Sequence, residues 1–150
     1  MASESKPIIY KADSVIFGEG EPANNLFIIK SGEVGVYKEL KDRLVPIATL
    51  GPKSFLGELS VFDDSLRRST AIATKQTEVI IVKKTDIKKV LGNCPDWVSS
   101  IMQTICIRLR NASELIREHN ISDEEFSAAK ISKELQKKYL ELVRNRRMDI

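Results

Sequence analysis

The sequence predicts an α+β chain, mainly β, in which an antiparallel jelly-roll or double-stranded β-helix is followed by C-terminal helices. Three observations carry this. Between Ile8 and Val82, short runs of apolar and β-branched residues recur roughly every ten residues. Turn signatures rich in glycine, proline and charge separate those runs. From Thr85 onward the apolar period lengthens to that of a helix, and β-branched runs become sparse.

The elements follow in order. After a polar lead-in, Ile8-Ile9-Tyr10 is a short extended piece and Val15-Ile16-Phe17 a brief apolar strand. Gly18-Glu19-Gly20-Glu21-Pro22 is a turn with special backbone angles. Leu26–Lys30 is a strand, and Ser31-Gly32 reads as a two-residue hairpin link with positive φ at Gly32. Val34, Val36 and Leu40 carry the next strand, Lys41-Asp42-Arg43 turns it, and Val45–Leu50 returns. Pro46 places that return at a sheet edge or at a strand start. Ala71–Thr74 and Glu78–Val82 are strands separated by Lys75-Gln76-Thr77. Thr85 is the expected cap of a short helix that stops near Gly92. Pro95 opens a longer helix to about Arg117, and Ser122 caps a last one, from Asp123 to about Asn145.

The 150 residues, 42% of them apolar, suffice for one packed core with an appendage. The expected division is 1–92 for the roll with its short flanking helices, 93–120 for a lid or dimerisation helix, and 121–150 for a C-terminal helix. A net charge of +3, with acids and bases interleaved, is too mild to argue for nucleic acid. Cys94 and Cys106 form no CxxC pair or disulfide framework, which points to a reducing compartment. The first residues contain no apolar signal core, and no stretch is long enough to span a bilayer, so the expected location is the cytoplasm. The Asn-x-Ser triplets at Asn111 and Asn120 read as chance matches. His119 is the single histidine. It cannot supply the ligand cluster of a cupin-type metalloenzyme, and no metal, cofactor or catalytic residue is expected.

The candidate chemistry lies in Phe55–Thr70. Gly57 leads into a short helical turn, whose unpaired N–H groups and dipole suit an anion. An arginine nine residues after Glu58 can close over that anion with a planar fork. Glu58 would repel a phosphate, so it suits a hydrogen-bond donor such as a sugar hydroxyl. A ribose phosphate supplies both groups. In the helix from Pro95, Val98, Ile105 and Ala112 interleave with Met102, Leu109 and Ile116 as a heptad seam, and Trp97, Ile101 and Leu115 form a second stripe. One face can pack on the roll and another on a second copy. Arg144-Asn145-Arg146-Arg147 reads as a solvated helix end that complements the dipole.

Gly57-Glu58-Leu59-Ser60, Arg67, and then Ser69-Thr70-Ala71-Ile72-Ala73 resemble the phosphate-binding cassette of cyclic-nucleotide-binding domains of the catabolite activator type. The similarity runs from about Val15 to Lys83 and takes in Gly20, Gly32 and the Glu78-Val79 strand. It implies that backbone amides around Gly57, Glu58 and Leu59 hold the cyclic phosphate, that Glu58 takes the ribose 2′-hydroxyl, and that Arg67 takes an exocyclic oxygen, with Ser60 also in the ligand-binding set. Spacing to Glu78-Val79 favours Arg67 over Arg68 in that role. Leu56 stands where the family has Phe, and Arg68 where it has Ala, Ser or Thr. Arg68, Ser69 and Thr70 complete the candidate ligand-binding set. The implied function is a regulatory sensor of cAMP, with cGMP second, that relays binding to the Pro95 helix and to a partner. The expected partners are a second copy through residues 95–119 and an effector protein or downstream domain, with no DNA contact by this chain alone. Two alternatives stay open: an interaction module that binds nothing or a cyclic dinucleotide, and a transcription-factor sensor half without its DNA-binding domain.

Overall fold

Residues 6–120 and 132–149 are described in the computed structural model, residue 113 and residues 115–120 by their backbone alone. Eight strands are β1 (Ile8–Tyr10), β2 (Ser14–Phe17), β3 (Asn25–Ser31), β4 (Val34–Leu40), β5 (Arg43–Leu50), β6 (Phe55–Leu56), β7 (Thr70–Ala73) and β8 (Thr77–Lys83). The helices are α1 (Glu58–Phe62) between β6 and β7, then α2 (Lys84–Gly92), α3 (Asp96–Asn120) and α4 (Lys133–Met148). Every strand pair is antiparallel, in two sheets ordered β1-β8-β3-β6 and β2-β7-β4-β5. Successive strands mostly change sheet, which is the double-stranded β-helix the sequence predicts.

That alternation corrects one local reading. Ser31-Gly32 does not close a hairpin, because β3 and β4 lie in different sheets. The positive φ at Gly32, +95°, instead turns the chain from one sheet to the other. A Cβ there would lie 2.4 Å from the carbonyl oxygen of Gln76, so the crossing runs backbone against backbone. Thr77, fully buried, accepts from the Glu33 N–H at 3.1 Å and fixes the same corner. The two-residue hairpin is at Lys41-Asp42, where Leu40 pairs with Arg43. Pro46 lies on β5, an edge strand, beside a bulge in which Ile47 is skipped between the pairs Val36–Ala48 and Tyr37–Pro46.

Ile16, Phe17, Phe27, Ile29, Val34, Leu56, Ala71, Ala73 and Val79 fill the space between the sheets. All four residues of β7 are buried, so that strand is covered on both faces. Ala71 and Ala73 face the inner core, while Ile72 belongs to a second cluster with Tyr37, Leu44, Tyr139 and Val143. The last two come from α4, which therefore seals the outside of the β2-β7-β4-β5 sheet. Tyr139 meets Tyr37 edge-on at 5.6 Å between ring centroids, and its hydroxyl donates to Asp13 at 2.8 Å. Burying each large side chain of this kind contributes about 1.5–3 kcal/mol.

The helix ends also differ in detail. Lys83, in extended conformation, precedes α2 without any side-chain cap, so Thr85 does not serve as the cap. Ser132 caps α4 by accepting from the Leu135 N–H, and the helix runs to Met148 rather than Asn145. Ser122 and Asp123, expected to start the last helix, lie outside the described residues, as does the side chain of His119. The basic end of α4 is not simply solvated. Arg144 pairs with Asp42, Arg146 with Glu21 and Arg147 with Glu39, each carboxylate belonging to the roll. Among the described residues, no helix is long and apolar enough to cross a membrane.

Candidate functional site

The 55–70 stretch folds as the tip of the roll against α3. Arg67 is 4% exposed, an unusual setting for a guanidinium. Its Nη1 donates to the Gly57 carbonyl at 2.9 Å, and Nη2 donates to the Asn25 carbonyl. The group lies 4.3 Å from the Phe17 ring centroid and 5.7 Å from that of Phe27. Its Nε is buried without a partner among the described residues. Among the described residues, Arg67 makes no ion pair; Asp63 pairs with Arg110, and Asp64 with Lys84. Burial pushes the guanidinium down to about 10, while Glu21 and then Glu58 hold it up. Arg67 therefore carries its charge at neutral pH, held in place by carbonyls and rings.

Gly57 opens α1 in the left-handed region at φ +74°, with no side-chain cap on the helix. A Cβ at that position would fall 2.0 Å from Arg67 Nη1. Glycine is thus required twice, for the backbone angle and for the closeness of the arginine. The amides of Glu58 and Leu59 open the turn beside Arg67. Glu58 is half-buried, and its carboxylate makes no hydrogen bond or ion pair among the described residues, so its acceptor capacity is uncommitted. Ser60 is buried and spends its hydroxyl on the Leu66 carbonyl at 3.2 Å, tying the turn to the loop that carries Arg67.

The residues after Arg67 separate in role. Arg68 turns outward and pairs with Glu114 of α3, while its carbonyl accepts from Lys38 Nζ at 2.7 Å. Ser69 is half-buried. Thr70 is fully buried, and its hydroxyl accepts from the Glu19 N–H at 3.0 Å. The structure thus commits Arg68 to the helix and Thr70 to the 18–22 turn. That turn braces the arginine loop from behind: Gly20 N–H donates to the Arg67 carbonyl at 2.8 Å, and Arg67 N–H to the Glu21 carbonyl at 2.8 Å. Glu21, Asn25, Phe17 and Glu114 were not visible as site residues in the sequence, because their partners lie 40 or more positions away.

The α3 helix lies over the cassette with a polar contact face. Arg110 meets Asp63 and reaches the Ser65 hydroxyl at 3.4 Å, Glu114 meets Arg68, and Cys106 is buried. Burial raises the Cys106 thiol, and the charge of Glu58 raises it further. The heptad reading of α3 is corrected. Met102 and Val98 turn partly inward, whereas Trp97, Ile101, Ile105 and Leu109, spaced by four, are exposed together. A groove of about 370 Å³ opens between α1, α2 and α3, lined by Val61, Phe62, Ile87, Leu91 and Met102 among others. Neither Gly57, Glu58 nor Arg67 borders it.

Comparison with known proteins agrees with this geometry. The family model described as "Cyclic nucleotide-binding domain" matches residues 7–94. The chain is 25% identical over 114 residues to a CRP-like cAMP-activated global transcriptional regulator of Mycobacterium tuberculosis, covering 75% of this chain and 51% of that protein. It is 32% identical over 89 residues to a cAMP-dependent protein kinase regulatory subunit of Aspergillus fumigatus, covering 59% of this chain and 21% of that one. Among solved structures, the cAMP-bound form of the EAL enzyme Bd1971 is similar at a TM-score of 0.66 and 25% identity, over 77% of this chain and 31% of that one. The chain thus spans about half the length of the curated regulator and a smaller part of the other two. With the roll, the cassette and more than half of its residues matched to one family model, the chain belongs to the cyclic nucleotide-binding domain family.

Proposed function

We propose that the chain is a regulatory sensor whose ligand is cAMP, with cGMP second, and whose reporting element is α3. The observation that carries this reading is the buried guanidinium of Arg67, charged and held by carbonyls rather than by a carboxylate. A cyclic phosphate replaces the Gly57 carbonyl as its partner, joined by the opening amides of α1. Glu58 then accepts from the ribose 2′-hydroxyl. Ser60 acts by holding the turn, and Ser69 and Thr70 by shaping the loop behind it. The kinase subunit and the transcriptional regulator that this chain resembles are named for cAMP, which favours adenine as the base.

The relay follows from the polar α3 contacts. An anion that draws Arg67 off the Gly57 carbonyl shifts the loop carrying Asp63, Ser65 and Arg68. These are the groups that grip Arg110 and Glu114. A ligand moves such an equilibrium by its differential affinity for two positions of the helix. The division into roll (1–92), lid helix (93–120) and C-terminal helix (121–150) assigns sensing, reporting and bracing in that order. A second copy of the chain is the proposed occupant of the Trp97, Ile101, Ile105 and Leu109 stripe, with an effector protein or downstream domain receiving the signal.

The test is a melting curve with cAMP, cGMP or cyclic di-GMP. Ligand at about 100 times its Kd adds roughly 2.7 kcal/mol. That corresponds to several degrees, at about 2–4 °C per kcal/mol for a chain of this size. The expected outcome is a shift with cAMP, a smaller one with cGMP, and neither in Arg67→Ala. Absence of any shift with both cyclic mononucleotides rejects the reading, and a shift with cyclic di-GMP alone replaces it with the dinucleotide one.

A further inference from the structure

The C-terminal helix touches the turn that braces Arg67, and the contact is charged. Arg146 Nε donates to Glu21 Oε2 at 2.7 Å, and its Nη2 donates to Glu21 Oε1 at 3.0 Å and to the Ile16 carbonyl at 3.3 Å. This is a two-pronged guanidinium–carboxylate grip, in which planar geometry fixes the carboxylate as well as neutralising it. The same carboxylate accepts from the Gly18 N–H, so it pins both ends of the turn. Glu21 in turn exchanges backbone bonds with the arginine loop, its carbonyl accepting from the Arg67 N–H while the neighbouring Gly20 N–H donates to the Arg67 carbonyl. Three links therefore join α4 to the proposed phosphate partner: Arg146 to Glu21, Glu21 to the turn, and the turn to Arg67.

The sign of the coupling comes from charge. Of the two carboxylates whose field reaches Arg67, Glu21 acts the more strongly. Left alone, a half-buried carboxylate behind the anion site opposes the entry of a phosphate. Paired with Arg146, it is neutralised, and the field of Arg67 is left for the ligand. We infer that Arg146 is a positioning residue for nucleotide binding: by pairing with Glu21 it keeps Arg67 placed and anion-seeking, so α4 seated on the roll means higher affinity. Neither residue touches the ligand in this scheme. Linkage makes the effect reciprocal, and nucleotide binding tightens the seating of α4 by the same factor. Any partner or modification that lifts α4 from the roll thereby weakens the sensor, and the 145–147 stretch becomes an input rather than a tail. This inference rests on the nucleotide reading above.

The experiment is a double-mutant cycle on the full chain, with cAMP as the probe and amide hydrogen exchange as a second readout. Arg146→Gln is expected to weaken cAMP binding about 2- to 30-fold, the range of couplings carried by such networks. In a Glu21→Gln background the same change should alter affinity less than about twofold, because the charge it uncovers is gone. A purely structural role for Arg146 predicts no such rescue. Arg146→Gln should also hasten exchange at the Gly20 and Arg67 amides without ligand. Wild-type binding with an unchanged affinity in Arg146→Gln overturns the inference and leaves the nucleotide reading standing. If the wild type binds neither cAMP nor cGMP, that reading fails by itself. Exchange at Gly20 and Arg67 then decides the coupling, supporting it if faster in Arg146→Gln and refuting it if unchanged.

Discussion

The two long helices meet the roll in opposite ways. α4 turns its apolar residues inward, with Tyr139 and Val143 at 1% and 0% exposure, and leaves its charges as a rim of pairs to Asp13, Glu21, Glu39 and Asp42. α3 turns charges inward, Arg110 to Asp63 and Glu114 to Arg68, and carries Trp97, Ile101, Ile105 and Leu109 on its outer side. Apolar burial is worth kilocalories per side chain, whereas a pair as exposed as Arg68–Glu114 is worth about 0–1 kcal/mol; Arg110–Asp63, at 17% and 3% side-chain exposure, is a buried polar contact. One helix is thereby seated by apolar side chains and the other held chiefly by polar pairs. In the proposed reading, the contrast would make α4 the brace and α3 the reporting part, although α3 is the longer helix and nearer in sequence.

The largest expected effect that tests this contrast is Tyr139→Ala. It removes a fully buried ring and the hydroxyl that donates to Asp13, and should cost about 3–5 kcal/mol in urea unfolding. A cost below about 1 kcal/mol would show that α4 is not seated. Next comes Leu109→Glu, on the exposed stripe. It should leave the unfolding free energy within about 0.5 kcal/mol for the monomer, yet convert a dimer to a monomer on a sizing column. If the oligomeric state is the same before and after, the stripe faces something else. The smallest effect is Glu114→Gln, which breaks a pair whose partners are each more than a third exposed. Stability should fall by no more than about 1 kcal/mol, while exchange in α3 quickens and its response to cAMP shrinks. A stability loss as large as that of Tyr139→Ala would erase the distinction between the helices.

The roll was legible because its signals are local. Strand length, turn chemistry and the edge position of Pro46 depend on neighbours in sequence. The register that favours Arg67 over Arg68 also came from counting residues, and the structure buries the former and turns the latter out to Glu114. What was misread depends on where distant elements dock. Gly32 looked like a hairpin glycine because positive φ serves a crossing between sheets equally well. The heptad in α3 mixed Met102 with Leu109, since a period alone does not say which side the roll occupies. In α4 the apolar positions Leu135, Tyr139, Leu142 and Val143 share a face that docks on the roll, whereas its basic end, Arg144–Arg147, read as solvated because its carboxylate partners are distant in sequence. Glu21 looked like a turn residue, and only the fold brings Arg146 to it across 125 positions.

Strand β7 carries a last consequence. It begins three residues after Arg67 and lies between the inner core on one side and α4 on the other, with no residue facing water. A strand clamped this way works as an anvil. In the proposed reading, displacement of the arginine would find little slack downstream and would pass outward through the short loop toward α3, which Asp63 and Arg68 of that loop hold by charge.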